Sequence, residues 1–340
     1  MFDAVTSSPF SVVSFRECCE CAASVQKRAA EQIRTPSGTS VGFEVTCALP
    51  LPGGYDIRRH FFSVLFQSVY HVLGVSKERR ALFCSLNYLF RIWVTSADNL
   101  LDDEDKVTLE IRMPGSSRVM RQVVAIMAAD RIAAELLGDA MQSGVITQAQ
   151  SRLLLHDSLT VLLPSAAQEA SEEGGIEERP DPEYVLSTIH RLKTGLLFNL
   201  PFAGLEVCDD AQIDLRQKNL CKDALMSFGL GCQLLDDIRD IARDAQQHRH
   251  NYVLSSITHT CSTYAAALES VASGDDPDTA VFMRFPEAVI PTAKRAKALM
   301  TDGLTAYISA GFDLPLSAVA SLVEDMFVVL GVAELVPYVG

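Results

Sequence analysis

The spacing of apolar residues is the feature that most constrains how this chain can fold. Apolar side chains recur at every third or fourth position over long stretches, most clearly over residues 118–142 and 217–244. That spacing places them along one face of an α-helix. No segment shows the sustained alternation, bounded by turn residues, that is typical of strands. The sequence therefore predicts an all-α protein.

Proline and glycine mark the predicted ends of the helices. Between them no segment has the composition of a linker, so we predict a single all-α domain over residues 1–340, in which residues 1–45 form an N-terminal extension without an interpretable motif. We predict that the acidic stretch from Glu169 to Asp181 is a solvated loop. The helix-breaking positions are Pro36–Gly38, Pro50–Gly54, Pro114–Ser117, Gly174–Pro182, Gly274–Pro277 and Gly311–Pro315.

Composition excludes several classes of partner. Hydrophobic residues make up 48 % of the 340 residues, enough to bury a substantial core. A net charge of −14 argues against non-specific binding to nucleic acid or to anionic membranes. No apolar run approaches the roughly 20 residues that span a bilayer, and the N-terminus does not resemble a secretory signal. Nine cysteines, an odd number, fit reduced thiols, so we predict a cytoplasmic protein.

Two groups of aspartates carry the strongest chemical signal. Because each residue of a helix advances by about 100°, spacings of three and four place each group on one helical face. Like charges along such a face repel, and bound cations would offset that repulsion. Carboxylate oxygens suit Mg²⁺, which also binds phosphate oxygens. A solvated acidic face is the alternative, but two such groups, each continuing an apolar helix, favour cation binding. The groups are Asp98, Asp102 and Asp105, and Asp236, Asp240 and Asp244.

Four segments in order resemble motifs of the trans-polyprenyl diphosphate synthases. The second aspartate group, with Gln233 ahead of it, resembles their second aspartate-rich motif, and the first resembles their DDxxD motif with Asn99 at the second aspartate. The segment Arg191–Phe198 resembles KTGxLF, and Gly53–Arg58 stands where those enzymes carry GGKRLR. The resemblance implies the class I terpenoid synthase (isoprenoid synthase) fold, an all-α helical bundle around a central apolar cavity.

The departures from these motifs bear on the reaction. Tyr55 and Asp56 stand where the elongating enzymes bind isopentenyl diphosphate through Lys and Arg, and only Arg58 remains. An aspartate at that place opposes an anion. We therefore expect a class I terpene cyclase, a Mg²⁺-dependent lyase that ionises farnesyl, geranylgeranyl or a longer diphosphate. A trans-prenyltransferase with an altered isopentenyl diphosphate site is one alternative, and a non-catalytic partner subunit of a prenyl synthase is another.

The resemblance also implies roles for individual residues. It implies Mg²⁺ as cofactor, three ions with bound diphosphate, and a homodimer as the assembly. Catalysis would rest on the aspartates together with Arg191 and Lys193, the latter contacting the diphosphate. Thr194, Gln233 and Arg249 would help to bind substrate, and Tyr252 would close over it. The metal ligands would be Asp98, Asp102, Asp236, Asp240 and Asp244.

A carbocation formed from the substrate needs a dry pocket with aromatic faces. In the elongating enzymes, the two side chains four and five positions before the first aspartate set the depth of the cavity, and here these are Val94 and Trp93. Phe90, Phe198 and Phe202 are the other candidates for the pocket, although ordinary core packing is the alternative for each.

Overall fold

The computed structural model describes residues 9–34, 44–49, 57–101, 104–115, 117–208, 213–260, 264–273 and 281–340. Helices dominate these ranges, which confirms the all-α prediction. The helix predicted over residues 118–142 has those same bounds, and Ser117 caps its first turn by accepting a hydrogen bond from the Met120 amide. The helices of the first half are α1 (Pro9–Gln32), α2 (Ile57–Val72), α3 (Lys77–Leu101), α4 (Arg118–Gln142) and α5 (Gln148–Glu172).

The second half of the chain contains two long helices and several shorter ones. A π-helix, Val185–Gly195, follows the short α6 directly, and 3₁₀ turns occur at Leu197–Asn199, Val281–Arg284, Leu316–Ala318 and Ala333–Tyr338. The α-helices are α6 (Pro182–Tyr184), α7 (Leu200–Val207), α8 (Leu215–Arg239), α9 (Ile241–Gln246), α10 (Tyr252–Thr260), α11 (Ala265–Ala272), α12 (Pro286–Ser309) and α13 (Val319–Val329).

Two strands of two residues each pair antiparallel, with Thr46 opposite Arg112 and Cys47 opposite Ile111. The strands are β1 (Thr46–Cys47) and β2 (Ile111–Arg112). The sequence did not predict them, because two residues are too few to show an alternating pattern.

The structure also corrects two boundaries. The helix predicted over residues 217–244 is interrupted at Asp240, which ends α8 and precedes α9. The predicted loop from Glu169 to Asp181 is wrong over its first four residues, because α5 continues to Glu172. Glu172 is fully buried, so its carboxylate faces protein partners and not solvent.

The described residues form two compact units. One contains residues 158–202 and 214–340, and the other contains residues 9–157 and 203–213. In the second of these, α1, α2, α3 and α4 pack around buried Val25, Val69, Leu89 and Ile132. The prediction of a single domain stays a prediction.

In the unit that contains α8, this helix packs along α12, and two glycines allow the close approach. A Cβ on Gly303 would lie 2.7 Å from the Ala224 carbonyl oxygen, and one on Gly231 would lie 2.8 Å from the Ala296 carbonyl oxygen. Any larger side chain would force the helices apart. The pairing with α12 therefore fixes the end of α8, where the second aspartate group lies.

Across the part of the chain that the structure describes, no helix is both long and apolar enough to cross a bilayer.

Candidate active site

The second aspartate group meets a guanidinium at the end of α8. Nη2 of Arg239 contacts Oδ1 of Asp236 and lies 2.6 Å from Oδ2 of Asp240, while its Nε lies 2.9 Å from Oδ1 of Asp240. Arg243 adds a bond of 2.7 Å from Nη2 to Oδ2 of Asp240. Two of the predicted metal ligands therefore converge on a single cationic nitrogen.

The break at Asp240 does not disperse the carboxylates. The Asp240 amide donates to the Asp236 carbonyl oxygen at 2.9 Å, and the Asp244 amide donates to the Asp240 carbonyl oxygen at 2.9 Å. The helical four-residue spacing is thus kept across the junction of α8 and α9. Desolvation raises the pKa of Asp236, Arg239 lowers it, and the nearby Asp240 carboxylate raises it further. The group is therefore one in which a cation relieves repulsion between carboxylates.

Asp237, the neighbour of Asp236, has a different environment. It is buried, and its Oδ2 lies 2.6 Å from Nε2 of His190 and 2.6 Å from the Tyr252 amide nitrogen, both donors. Gln233 donates to its Oδ1 at 3.0 Å and accepts a hydrogen bond from the Thr194 hydroxyl. Asp237 thereby ties α8 to the π-helix and to the start of α10.

The π-helix presents its side chains to two different neighbours. Its wide turn is visible where the Leu196 amide donates to the Arg191 carbonyl oxygen, five residues back, at 3.0 Å. His190 and Thr194 face α8 through the contacts just described, whereas Lys193 faces α5. Arg191 is exposed.

Lys193, predicted to contact a diphosphate, is paired with carboxylates of α5. Its Nζ lies 3.0 Å from Oε1 of Glu169 and 3.5 Å from Oε2 of Glu172. Burial alone lowers the pKa of Lys193, but these carboxylates outweigh it and raise the pKa above its ordinary value. Glu172 also accepts from the His250 amide at 3.0 Å. Contact between Lys193 and a diphosphate would therefore exchange one anion for another.

Asp244 is buried on α9. Its Oδ2 accepts a hydrogen bond from Nδ2 of Asn251 at 2.8 Å, and Nε of Arg243 lies 3.7 Å from its Oδ1. Burial raises the pKa of Asp244 to about 7, although the bond from Asn251 lowers it.

We expect Asp244→Asn to change how stability depends on pH. Because the folded pKa is about 7 and the unfolded pKa is about 3.9, ionising Asp244 destabilises the folded state as pH rises between those values. The wild type should lose up to about 4 kcal/mol relative to Asp244→Asn across this interval. Urea unfolding of both proteins in EDTA, at several pH values, measures the difference. A difference that is the same at every pH would contradict the prediction.

Tyr252 and Arg249 lie beyond α9. The Tyr252 ring is buried, and its hydroxyl accepts a hydrogen bond from Nη1 of Arg295 at 2.8 Å. Arg295 in turn pairs with Glu183, at 2.7 Å between Nη2 and Oε2. The half-buried Arg249 lines a shallow surface pocket together with Glu173. Closure of Tyr252 over a substrate stays a prediction.

The first aspartate group lies at the end of α3. Asp98 is half-buried there, whereas Asp102 lies outside the described residues. Asp105 pairs with Arg121 of α4 at 2.6 Å. Asn99 is buried, and its Nδ2 donates to the Lys106 carbonyl oxygen at 2.8 Å while its Oδ1 accepts from the Lys106 amide at 3.0 Å. The amide thus bonds both backbone groups of one residue, which a carboxylate cannot do.

We expect Asn99→Asp, which would restore the DDxxD motif, to destabilise the protein by about 2 kcal/mol at neutral pH. The new carboxylate oxygen would face the Lys106 carbonyl oxygen without a hydrogen between them. Thermal unfolding measures the loss, which should shrink in acid because a protonated carboxyl can donate. Equal stability of the two proteins at neutral pH would show that the donor at position 99 is dispensable.

The aromatic candidates are held in each unit by local packing. The Trp93 indole N–H donates to the Ile126 carbonyl oxygen at 3.1 Å, and its ring lies 6.5 Å from that of Phe90. Phe198 packs against α8, where a Cβ on Gly229 would lie 2.5 Å from its ring. Phe202 is almost fully buried, and Val94 is half-buried. A shared role for these side chains in one pocket stays a prediction.

The residues at the end of α8 fit the predicted Mg²⁺. Within the described ranges, no three His, Cys, Asp or Glu side chains are arranged around one metal position. Asp236 and Asp240 nevertheless both contact the cationic Nη2 of Arg239, which lies between them where a metal ion would bind. Mg²⁺ usually takes one or two carboxylates from a protein, with water and phosphate oxygens completing its shell.

Sequence reasoning missed several partners of the predicted residues. Arg239 and Arg243 were visible as basic residues alternating with the second aspartate group, and this alternation was the signal. His190 directly precedes the Arg191–Phe198 segment and Asp237 directly follows Asp236, but their pairing depends on the π-helix. Glu172 carried no signal, since its burial follows from the unexpected length of α5.

Neither a protein-family model nor a curated protein matches the chain in sequence. Solved structures do match it in fold. A polyprenyl synthetase from Streptomyces coelicolor A3(2) is 17 % identical, with 94 % of this chain and 98 % of that chain covered and a TM-score of 0.58. A decaprenyl diphosphate synthase from Rhodobacter capsulatus is 12 % identical, with 94 % and 97 % covered and a TM-score of 0.59.

A heptaprenyl diphosphate synthase from Staphylococcus aureus is 15 % identical, with 92 % and 97 % covered and a TM-score of 0.57. At these identities the likeness is one of fold. The protein therefore has the all-α isoprenoid synthase fold, as the sequence motifs implied. The matching structures are those of polyprenyl and prenyl diphosphate synthases, and the match in fold extends over nearly the whole chain.

Proposed function

We propose that the protein is an enzyme that binds an allylic prenyl diphosphate and transfers its prenyl group, as a trans-prenyltransferase. The observation that carries the proposal is the convergence of Asp236 and Asp240 on one cation at the end of α8. The solved structures of similar fold support it, because their names describe polyprenyl and prenyl diphosphate synthases.

In this proposal Asp236 and Asp240 hold Mg²⁺, with Asp244 beside them, and Asp98 and Asp102 supply the first aspartate group. Mg²⁺ held by these residues would stabilise negative charge on the departing diphosphate. The cationic side chains Arg191, Lys193 and Arg249 bind and orient the same anion, which lowers the cost of separating it from the prenyl group.

Other residues of the chain have supporting roles. Thr194 and Gln233, joined to each other, fix the π-helix against α8 beside the aspartates. The aromatic side chains Phe90, Trp93, Phe198 and Phe202, with Val94, exclude water from the carbocation, since water would consume it. The cytoplasmic location and the homodimer stay predictions that accompany this proposal.

The cyclase that the sequence favours is the second candidate. It rests on Tyr55 and Asp56, which stand where elongating enzymes bind isopentenyl diphosphate. These two residues lie outside the described ranges, so the argument for a cyclase comes from the sequence alone. The fold neighbours favour the transferase, and the altered motif favours the lyase.

One assay separates the candidates. The purified chain is incubated with Mg²⁺ and geranyl, farnesyl or geranylgeranyl diphosphate, with and without isopentenyl diphosphate, and products are identified by mass spectrometry. A longer diphosphate formed only with isopentenyl diphosphate supports the transferase. A hydrocarbon or alcohol formed without it supports the cyclase. No product under any condition, although each diphosphate is tested, overturns the enzyme proposal and favours a partner subunit.

A further inference from the structure

Arg239 occupies the position that a divalent cation would take between Asp236 and Asp240. Its Nη2 contacts a carboxylate oxygen of each, and its Nε bonds the second oxygen of Asp240. With Arg243 also at 2.7 Å, both oxygens of Asp240 accept hydrogen bonds from arginine. An ion that binds the same oxygens must compete with a guanidinium already there.

The aliphatic part of the Arg239 side chain supports the contact of the guanidinium with Asp236 and Asp240. It also leaves room for the guanidinium to move away from them. Its Cδ would lie 3.4 Å from a Cβ on Gly331, a residue whose φ of 80° suits glycine, so the aliphatic stem runs close along the backbone after α13. The side chain is 36 % exposed. Since one side of it already faces solvent, it can swing away without opening a cavity in the core.

Two neighbouring cations have other contacts. Arg243 bonds Asp240 at 2.7 Å and lies 3.7 Å from Asp244. Lys193 is paired with Glu169 and Glu172. Departure of Arg239 would free Oδ1 of Asp236 and Oδ1 of Asp240 together, while Arg243 keeps its bond to Oδ2 of Asp240.

We propose that Arg239 is a resident competitor of Mg²⁺ at the second aspartate group, and that Mg²⁺ binds there only as the guanidinium leaves. The inference rests on the proposed function, because it assumes that this group binds Mg²⁺. Arg239 thereby weakens Mg²⁺ binding to the free protein. The released guanidinium becomes a further cation for the anion that arrives with the metal.

The test is the affinity for Mg²⁺, measured by isothermal titration calorimetry on the full chain without any prenyl substrate. Arg239→Leu should bind Mg²⁺ about tenfold more tightly than the wild type, because the competing bonds are gone. Arg239→Lys should fall between them, since one ammonium replaces a fork of donors. Arg216→Leu is the matched control, as it removes an exposed arginine from the same helix and should leave the affinity unchanged.

Two further arms make the result decisive. Inorganic pyrophosphate added to the wild type should tighten Mg²⁺ binding more than it does in Arg239→Leu, because only the wild type gains the released guanidinium. Circular dichroism checks that each variant is folded. Equal Mg²⁺ affinities in the wild type and Arg239→Leu, a weaker affinity in the variant, or no measurable Mg²⁺ binding in either would overturn the inference.

The Mg²⁺-binding measurement and the product assay can contradict this inference and the proposed function independently of each other. Tighter Mg²⁺ binding by Arg239→Leu with no prenyl product would leave this inference standing and overturn the proposed enzyme. Product formation with unchanged Mg²⁺ affinity would do the reverse.

Discussion

Replacing Asp237 by alanine should lower the free energy of unfolding by about 3–5 kcal/mol. The carboxylate is 2 % exposed and accepts hydrogen bonds from His190, Gln233 and the Tyr252 amide. Its removal leaves these buried donors without the acceptor and creates a cavity between α8 and the π-helix. Urea unfolding followed by circular dichroism measures the loss.

Two companion variants make the Asp237 result specific. Asp223→Ala removes an exposed aspartate from the same helix and should change stability by less than about 0.5 kcal/mol. Asp237→Asn keeps the shape and one acceptor oxygen, so it should cost less than the alanine variant. If Asp237→Ala and Asp223→Ala were equally stable, the buried network would not be what joins the π-helix to α8.

The helical architecture was predictable because helices follow from the spacing of apolar residues that are close together in the sequence. Residues 118–142 show an uninterrupted apolar periodicity, and the structure gives that helix the same bounds. The motifs were local as well, and the structure brings Thr194 and Gln233 into contact although they are 39 residues apart. The motifs therefore singled out both residues, although the sequence did not predict that they bond each other.

The rest depended on geometry that spacing does not encode. The spacing makes Asp236, Asp240 and Asp244 look equivalent, but in the structure Asp236 is half-exposed and Asp244 is buried. Likewise, the pairing of Lys193 with Glu169 of α5 could not be read from the motif, and its contact with a diphosphate stays a prediction. Side-chain environment follows from which elements become neighbours, and one extra residue in a turn changes it.

The arginines between the aspartates show the same limit. The segment from Asp236 to Asp244 has an excess of negative charge, and the sequence predicts that metal ions offset this charge. The structure shows that Arg239 and Arg243 already offset part of it. A metal site predicted from carboxylates alone therefore overstates how strongly the free protein attracts cations.

Replacing Asp240 by asparagine should lower the turnover of a prenyl diphosphate by about 10²–10³-fold. Arg239 and Arg243 both contact Asp240. Its carboxylate is therefore the one in the second aspartate group around which the cations gather. Asparagine keeps its size but removes the negative charge that would hold Mg²⁺ against the departing diphosphate. Steady-state release of diphosphate, measured with whichever allylic substrate proves active, gives the effect.

The comparison that tests Asp240→Asn is with Asp223→Asn, which removes the same charge from an exposed site on α8 and should keep wild-type turnover. If metal loading is the cause, excess Mg²⁺ should restore part of the activity of Asp240→Asn and none should be gained by Asp223→Asn. Near-normal turnover in Asp240→Asn would remove this aspartate from the reaction. The proposed chemistry would then have to rest on Asp236, Asp244 and the first aspartate group, where Asn99 bonds the backbone of Lys106.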